Sequence, residues 1–192
     1  MADYDALHAG GRAREEEYFR KKDRELLEKM RRAAAAEQTQ HDLGAKTGIG
    51  DPEVLGEIAV LGFTPETVAL LPLVPVLQVA WAEGGVSDAE RHLLVKLARA
   101  RGIAEQSPAD QQLSQWLSAR PDAAVFAGAT RLIRAMLDAQ PEGQGEIDPA
   151  DLVRYCEQVA DASGGFLGIK RISPEERELL ARISADLARG QS

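Results

Sequence analysis

At 192 residues, with 44% hydrophobic and 28% charged content, the chain holds enough apolar material for one domain of about 150 residues plus an appendage. Twenty-three basic against 31 acidic residues leave a formal net charge of -8, which excludes a general nucleic-acid binder, because phosphate contacts need a basic footprint. A single cysteine, Cys156, excludes an internal disulfide, and within its apolar-periodic stretch it reads as a small buried thiol.

The N-terminus is acidic and polar and lacks the apolar core of a secretory signal, so the cytoplasm is the expected compartment. Residues 1–11 are expected to be disordered. From 12 to 40 the pattern predicts an amphipathic helical arm, in which Phe19, Leu26, Met30 and Ala33 share one narrow stripe. Four acid-before-base pairs at i,i+4, Glu16–Arg20, Glu17–Lys21, Glu25–Lys29 and Glu28–Arg32, each add about 0.2–0.5 kcal/mol to an isolated helix. Residues 12–32 carry nine basic and six acidic side chains, whereas 33–192 carries 14 and 23. The arm is mildly positive and the remainder strongly negative. Tyr18, Phe19, Leu26 and Met30 are therefore the candidate partner-binding residues.

A polar linker is predicted at 41–51, followed by a helical bundle over 52–190. Asp51-Pro52, Thr64-Pro65, Ser107-Pro108, Asp148-Pro149 and Ser173-Pro174 each set a capping side chain before a proline, the pairing favoured at a helix start. Arg120-Pro121 suggests one more. The predicted helices are 52–61, 65–83, 88–101, 108–118, 121–139, 149–162 and 174–189. The helix over 65–83 is apolar around its circumference, as a buried central helix is, and Pro72 and Pro75 predict a kink or break in it. Its apolar run, 68–82, is too short to cross a bilayer. Gly102-Ile103 reads as a left-handed helix cap with an apolar contact back onto the last turn. No segment shows the alternation of a strand.

The chain also repeats itself. Ala82-Glu83-Gly84-Gly85 leads into Val86-Ser87-Asp88-Ala89-Glu90-Arg91-His92-Leu93-Leu94, and Ala162-Ser163-Gly164-Gly165 leads, after the six residues Phe166 to Arg171, into Ile172-Ser173-Pro174-Glu175-Glu176-Arg177-Glu178-Leu179-Leu180. Each copy has a diglycine that ends a helix and a serine with a glutamate three residues on, the spacing of a capping box. Further along, Leu93, Leu94, Leu97 and Ala98 match Leu179, Leu180, Ile183 and Ser184. The six inserted residues are expected to fold back over the end of the bundle; a protruding lobe for a partner or an anionic surface is the alternative.

A helix closed by Ala-acid-Gly-Gly, then V/I-S-x-x-E-R-x-L-L, repeated in the second half, resembles the TerB-like (tellurite-resistance) helical domain, which is also similar to the N-terminal region of the DjlA co-chaperones. The resemblance covers roughly 52–190. It implies an all-α, seven-helix bundle with pseudo-twofold halves, here preceded by the long N-terminal helix, and an adaptor-like, non-enzymatic role in bacterial stress response. The family usually has Ala-Asp-Gly at these turns, where acidic residues are associated with metal ions; this chain has Glu83 at the first and Ser163 at the second. The run Gly11 to Arg20, continuing to Leu26, resembles the inhibitory segment of the mitochondrial ATP-synthase inhibitor family through its Glu16-Glu17-Tyr18-Phe19-Arg20. That implies an alternative role as a regulator of a rotary ATPase.

Glu83, Asp88, Glu90 and, if the halves pack symmetrically, Glu176 offer hard oxygen ligands to a divalent ion such as Ca²⁺ or Mg²⁺, though the spacing is not that of an EF-hand. The same glutamates at 90 and 176 also serve as helix caps, with Glu83 solvated near a helix end. His8, His41 and His92 are scattered, and no H-E-x-x-H, G-x-S-x-G, Walker or dinucleotide glycine pattern occurs. The expectation is a non-enzymatic chain with no organic cofactor, whose partner is another protein of unspecified identity.

Overall fold

A computed structural model describes the backbone of residues 2–139, 148–162 and 174–188, with side chains for 17–139 and for most of 148–162 and 174–186. It is all-α: the described residues form helices joined by turns and contain no strand. The helices are α1 (Ala2–Thr47), α2 (Pro52–Val60), a 3₁₀ segment (Val68–Leu73), α3 (Val74–Ala80), α4 (Asp88–Ala100), α5 (Pro108–Ser118), α6 (Ala123–Ala139), α7 (Pro149–Ala162) and α8 (Pro174–Ala188). The chain divides into two compact units, residues 1–41 and 42–192. No described helix is long and apolar enough to cross a membrane.

Local chemistry sets most of the helix ends in the second unit. Asp51 Oδ1 accepts from Glu53 N at 2.9 Å, and Asp148 Oδ1 accepts from Ala150 N at 2.8 Å. Each acidic side chain takes up a first-turn donor that the helix leaves unpaired. Ser107 Oγ accepts from Asp110 N at 3.2 Å in the same way. At the close of α4, Gly102 adopts φ +79 and donates to Arg99 O at 3.0 Å, while Ile103 N reaches Ala98 O at 3.0 Å and its side chain is buried. This is the Schellman arrangement, with a glycine where a Cβ would be strained and an apolar residue behind it. The same pair of bonds ends α2 at Gly62 and Phe63.

Two boundaries differ from expectation, and one expected break is present. Thr64-Pro65 opens a turn rather than a helix: Thr67 Oγ1 accepts from Thr64 N at 2.8 Å, Thr67 and Val68 both donate back to Thr64 O, and helical structure begins only at Val68. Across 65–83, Pro72 lies inside the 3₁₀ segment and Pro75 in the first turn of α3. A proline in a first turn removes a donor that has no intrahelical partner, so the segment divides here, at the break that the two prolines predict. The start of α6 belongs to Asp122, whose Oδ1 accepts from Ala124 N at 2.8 Å, not to Arg120-Pro121.

The first part of the predicted linker at 41–51 continues the helix. α1 runs from Ala2 to Thr47, and Leu43, Thr47 and Ile49 are buried. Thr47 Oγ1 donates to Leu43 O at 2.8 Å and accepts from Ile49 N at 3.3 Å, which satisfies a polar group that burial strips of water.

Residues 68–80 supply the centre of the 42–192 unit. Leu70, Leu71, Leu73, Val74, Val76, Leu77, Val79 and Ala80 are all at most 1% exposed, and burying each large aliphatic side chain is worth about 1.5–3 kcal/mol relative to leaving it in water. Around this strut, α3 packs on α7, α6 and α8; α4 packs on α3 and α7; and α7 packs on α8. The inner face of α7 is Leu152, Cys156, Val159 and Ala160, all fully buried, at the i, i+4, i+7, i+8 spacing of a core-facing stripe.

Candidate functional site

Two regions carry the candidate residues. In the first unit, Tyr18, Phe19, Leu26, Leu27 and Met30 are 54–61% exposed, an unusual concentration of large apolar surface on one helix. At 3.6 residues per turn, Phe19, Leu26, Met30 and Ala33 fall within about 60° of one another around the axis. Tyr18 and Leu27 flank them on opposite sides. The rings of Tyr18 and Phe19 meet edge-on with centroids 5.9 Å apart, and Lys22 Nζ lies 5.8 Å from the Tyr18 centroid. Lys22 also pairs with Glu25 at 3.5 Å, and Arg32 with Glu28 at 3.8 Å. Of the i,i+4 pairs expected from sequence, Glu28–Arg32 is formed, whereas Glu25 turns toward Lys22 at i,i+3. The side chain of Glu16 lies outside the described residues.

The second region is the turn between α3 and α4. Gly84, at φ +87, follows the last turn of α3 and donates to Trp81 O at 3.2 Å. Ser87 and Glu90 then form a complete capping box: Glu90 N donates to Ser87 Oγ at 3.3 Å, and Ser87 N donates to Glu90 Oε2 at 2.7 Å. Glu90 is buried, while Glu83 and Asp88 are exposed. The first turn of α4 thus uses Glu90 as a structural acceptor, and a carboxylate so engaged is tied to the helix start. Glu176 begins the corresponding turn of α8, but its side chain lies outside the described residues, as do Ser163, Gly164, Gly165, Ser173 and the inserted residues 166–171. Among the described residues, no group of three or more His, Cys, Asp or Glu side chains is brought together in a metal-binding arrangement.

What sequence reasoning missed at this turn is its fastening to α5. Trp81 Nε1 donates to Trp116 O at 2.9 Å, and Arg91 Nη2 donates to Leu117 O at 2.7 Å. Both carbonyls lie in the last turn of α5, where backbone acceptors lack intrahelical donors and a cation opposes the negative end of the helix dipole. Trp116 in turn meets Phe63 edge-on at 5.7 Å. No local motif signals these bonds, because each joins residues at least 26 positions apart.

A further cluster lies between α4 and α5. Asp110 Oδ1 accepts from Arg99 Nη2 at 2.7 Å and its Oδ2 from Gln106 N at 2.8 Å, and these bonds hold its carboxyl below the usual range. Arg99 also donates to Ile103 O at 3.1 Å. The group is a brace for the 101–107 loop. Cys156 is buried, and burial pushes its thiol up to about 12, so it is chemically quiet in the folded chain.

Taken together, these features define an all-α helical bundle with an apolar-striped helix in a separate unit. Comparison with protein-family models, with curated proteins and with solved structures finds no match for this chain.

Proposed function

We propose that the chain is a non-enzymatic adaptor or regulatory protein of the TerB-like class, acting in bacterial stress physiology, and that it docks a protein partner through the stripe Tyr18, Phe19, Leu26 and Met30. The observation that carries the docking role is the exposure of five large apolar side chains within thirteen residues of one helix. Water-exposed apolar surface of this density is retained where something covers it, and residues spaced i, i+7, i+11 anchor an amphipathic helix in a groove.

The class assignment draws on the duplicated turn sequence and on how the helices meet. If α3–α4 and α7–α8 are counterparts, a twofold relation between halves requires that α3 pack on α7, that α3–α4 be mirrored by α7–α8, and that α4–α7 be mirrored by α3–α8. All five of these contacts occur. Ile183 is buried as its counterpart Leu97 is, while Leu180 and Ser184 are half-buried where Leu94 and Ala98 are fully so. The non-catalytic reading follows from the sequence, which carries no recognisable nucleophile, metal-ligand or nucleotide motif.

Affinity capture with the intact chain, compared with the double variant Phe19→Ala/Leu26→Ala, tests the proposal. Truncating two anchors is expected to weaken capture by about 1–3 kcal/mol each with no change in thermal unfolding, because both side chains are more than half exposed. Capture of the same proteins by both forms refutes the docking role.

A further inference from the structure

The α1 stripe is not complementary to itself, and its charges describe what it fits. Over 17–37 the seam runs Phe19, Asp23, Leu26, Met30, Ala33, Glu37 in alternating steps of four and three, with Lys22 and Lys29 one heptad apart on the same edge. In a parallel pair of two copies, Asp23 lies opposite Asp23 and Glu37 opposite Glu37. An antiparallel pair that stacks Phe19 on Met30 sets Lys22 of each copy against Lys29 of the other. Sliding to stack Leu26 on Met30 sets Lys29 against Lys29. Each register that buries the apolar residues therefore confronts like charges, the pattern that selects against self-pairing.

The 42–192 unit of a second copy is no better an acceptor. Among its described residues, Val60 is the single large apolar side chain that is substantially exposed, so none of the described surface of that unit offers the stripe an apolar floor.

We propose that the stripe fits an unlike partner: a helix or helix-accepting groove with an apolar floor, carboxylates along the edge that meets Lys22 and Lys29, and a cation where it meets Asp23. Lys22 is already held at that edge by the Tyr18 ring and Glu25, and residues 17–37 carry seven basic against five acidic side chains. This assignment rests on the docking role proposed above and specifies the chemistry of the partner.

The test uses the full-length protein and two synthetic helical peptides about four heptads long, both with leucine seams. One has glutamates on its edges and a lysine opposite Asp23; the other has every charge reversed. Isothermal calorimetry is expected to show about tenfold or greater preference for the glutamate-edged peptide at low salt, shrinking as salt rises. The double variant Lys22→Glu/Lys29→Glu is expected to invert that preference. Equal binding of the two peptides, or a preference that survives the charge reversal, overturns the proposed partner chemistry while leaving docking intact. Failure of both peptides to bind, or binding undiminished in Phe19→Ala/Leu26→Ala, overturns the docking role as well. Sedimentation of the intact chain supplies the arm for a second copy: a monomer is expected, and a dimer dispersed by Phe19→Ala/Leu26→Ala overturns the proposal. Flotation with phosphatidylserine vesicles supplies the arm for a lipid surface, and co-flotation that depends on Phe19 and Leu26 likewise overturns it.

Discussion

Gly84 and Gly85 are neighbours of one residue type in one exposed turn, yet replacing each by alanine is expected to move stability in opposite directions. Gly84 sits at φ +87 and Gly85 lies outside that left-handed region. At neither position does an added Cβ meet another atom within 4 Å, so packing contributes to neither variant. Both substitutions restrict the unfolded chain and on that account stabilise by about 0.4–1 kcal/mol. Only Gly84→Ala also forces an L side chain into the left-handed region, at about 1–2 kcal/mol. Subtracting one variant from the other cancels the unfolded-state contribution and leaves the left-handed cost alone. With a urea slope of about 2 kcal/mol/M, the two unfolding midpoints separate by about 0.5–1 M, Gly85→Ala above the parent and Gly84→Ala below it. Urea titrations followed by circular dichroism, at unchanged slope, measure this directly. Coincident midpoints refute the claim that backbone conformation, and not the diglycine as a unit, is what the turn requires.

Two further outcomes follow from the titratable groups. Asp110 has a folded-state pKa below its unfolded value of about 3.9, so its contribution is present above about pH 4 and is lost as pH falls through the lower folded value. The stability gap between the parent and Asp110→Asn is therefore expected to be constant from pH 8 to about 5 and to close below about pH 4; a gap independent of pH contradicts the brace. Cys156, with its thiol pushed up to about 12 and its side chain buried, is expected to resist alkylation at pH 8 until the protein unfolds. Labelling should track the urea transition, and rapid labelling of the native chain contradicts its burial.

Much of the helix punctuation was legible because caps are local chemistry. Asp51, Ser87 with Glu90, Ser107, Asp148 and Gly102-Ile103 each act within five residues of themselves, so sequence alone contains both partners. The extension of α1 to Thr47 was not legible, since Leu43 and Ile49 look isolated in a polar stretch and only tertiary burial recruits them. Thr64-Pro65 differs for a related reason: the Thr67 hydroxyl accepts from Thr64 N and closes a turn instead. At the candidate sites, periodicity identified the Phe19, Leu26 and Met30 stripe, whereas its exposure is a property of the folded chain. Glu83, Asp88 and Glu90 lie close together in sequence. Glu90 instead faces the Ser87 backbone from a buried position, while Glu83 and Asp88 stay exposed.

The bond from Trp81 to the Trp116 carbonyl gives this protein a built-in optical gauge. These are the two tryptophans of the chain, and the bond runs from the Trp81 indole N–H to the Trp116 backbone carbonyl at the place where the end of α3 meets the end of α5. Rupture of that junction exposes both half-buried rings further and shifts their emission to the red. Native-state fluorescence therefore responds to that junction, and loosening of the turn that holds Gly84 is visible without any attached dye.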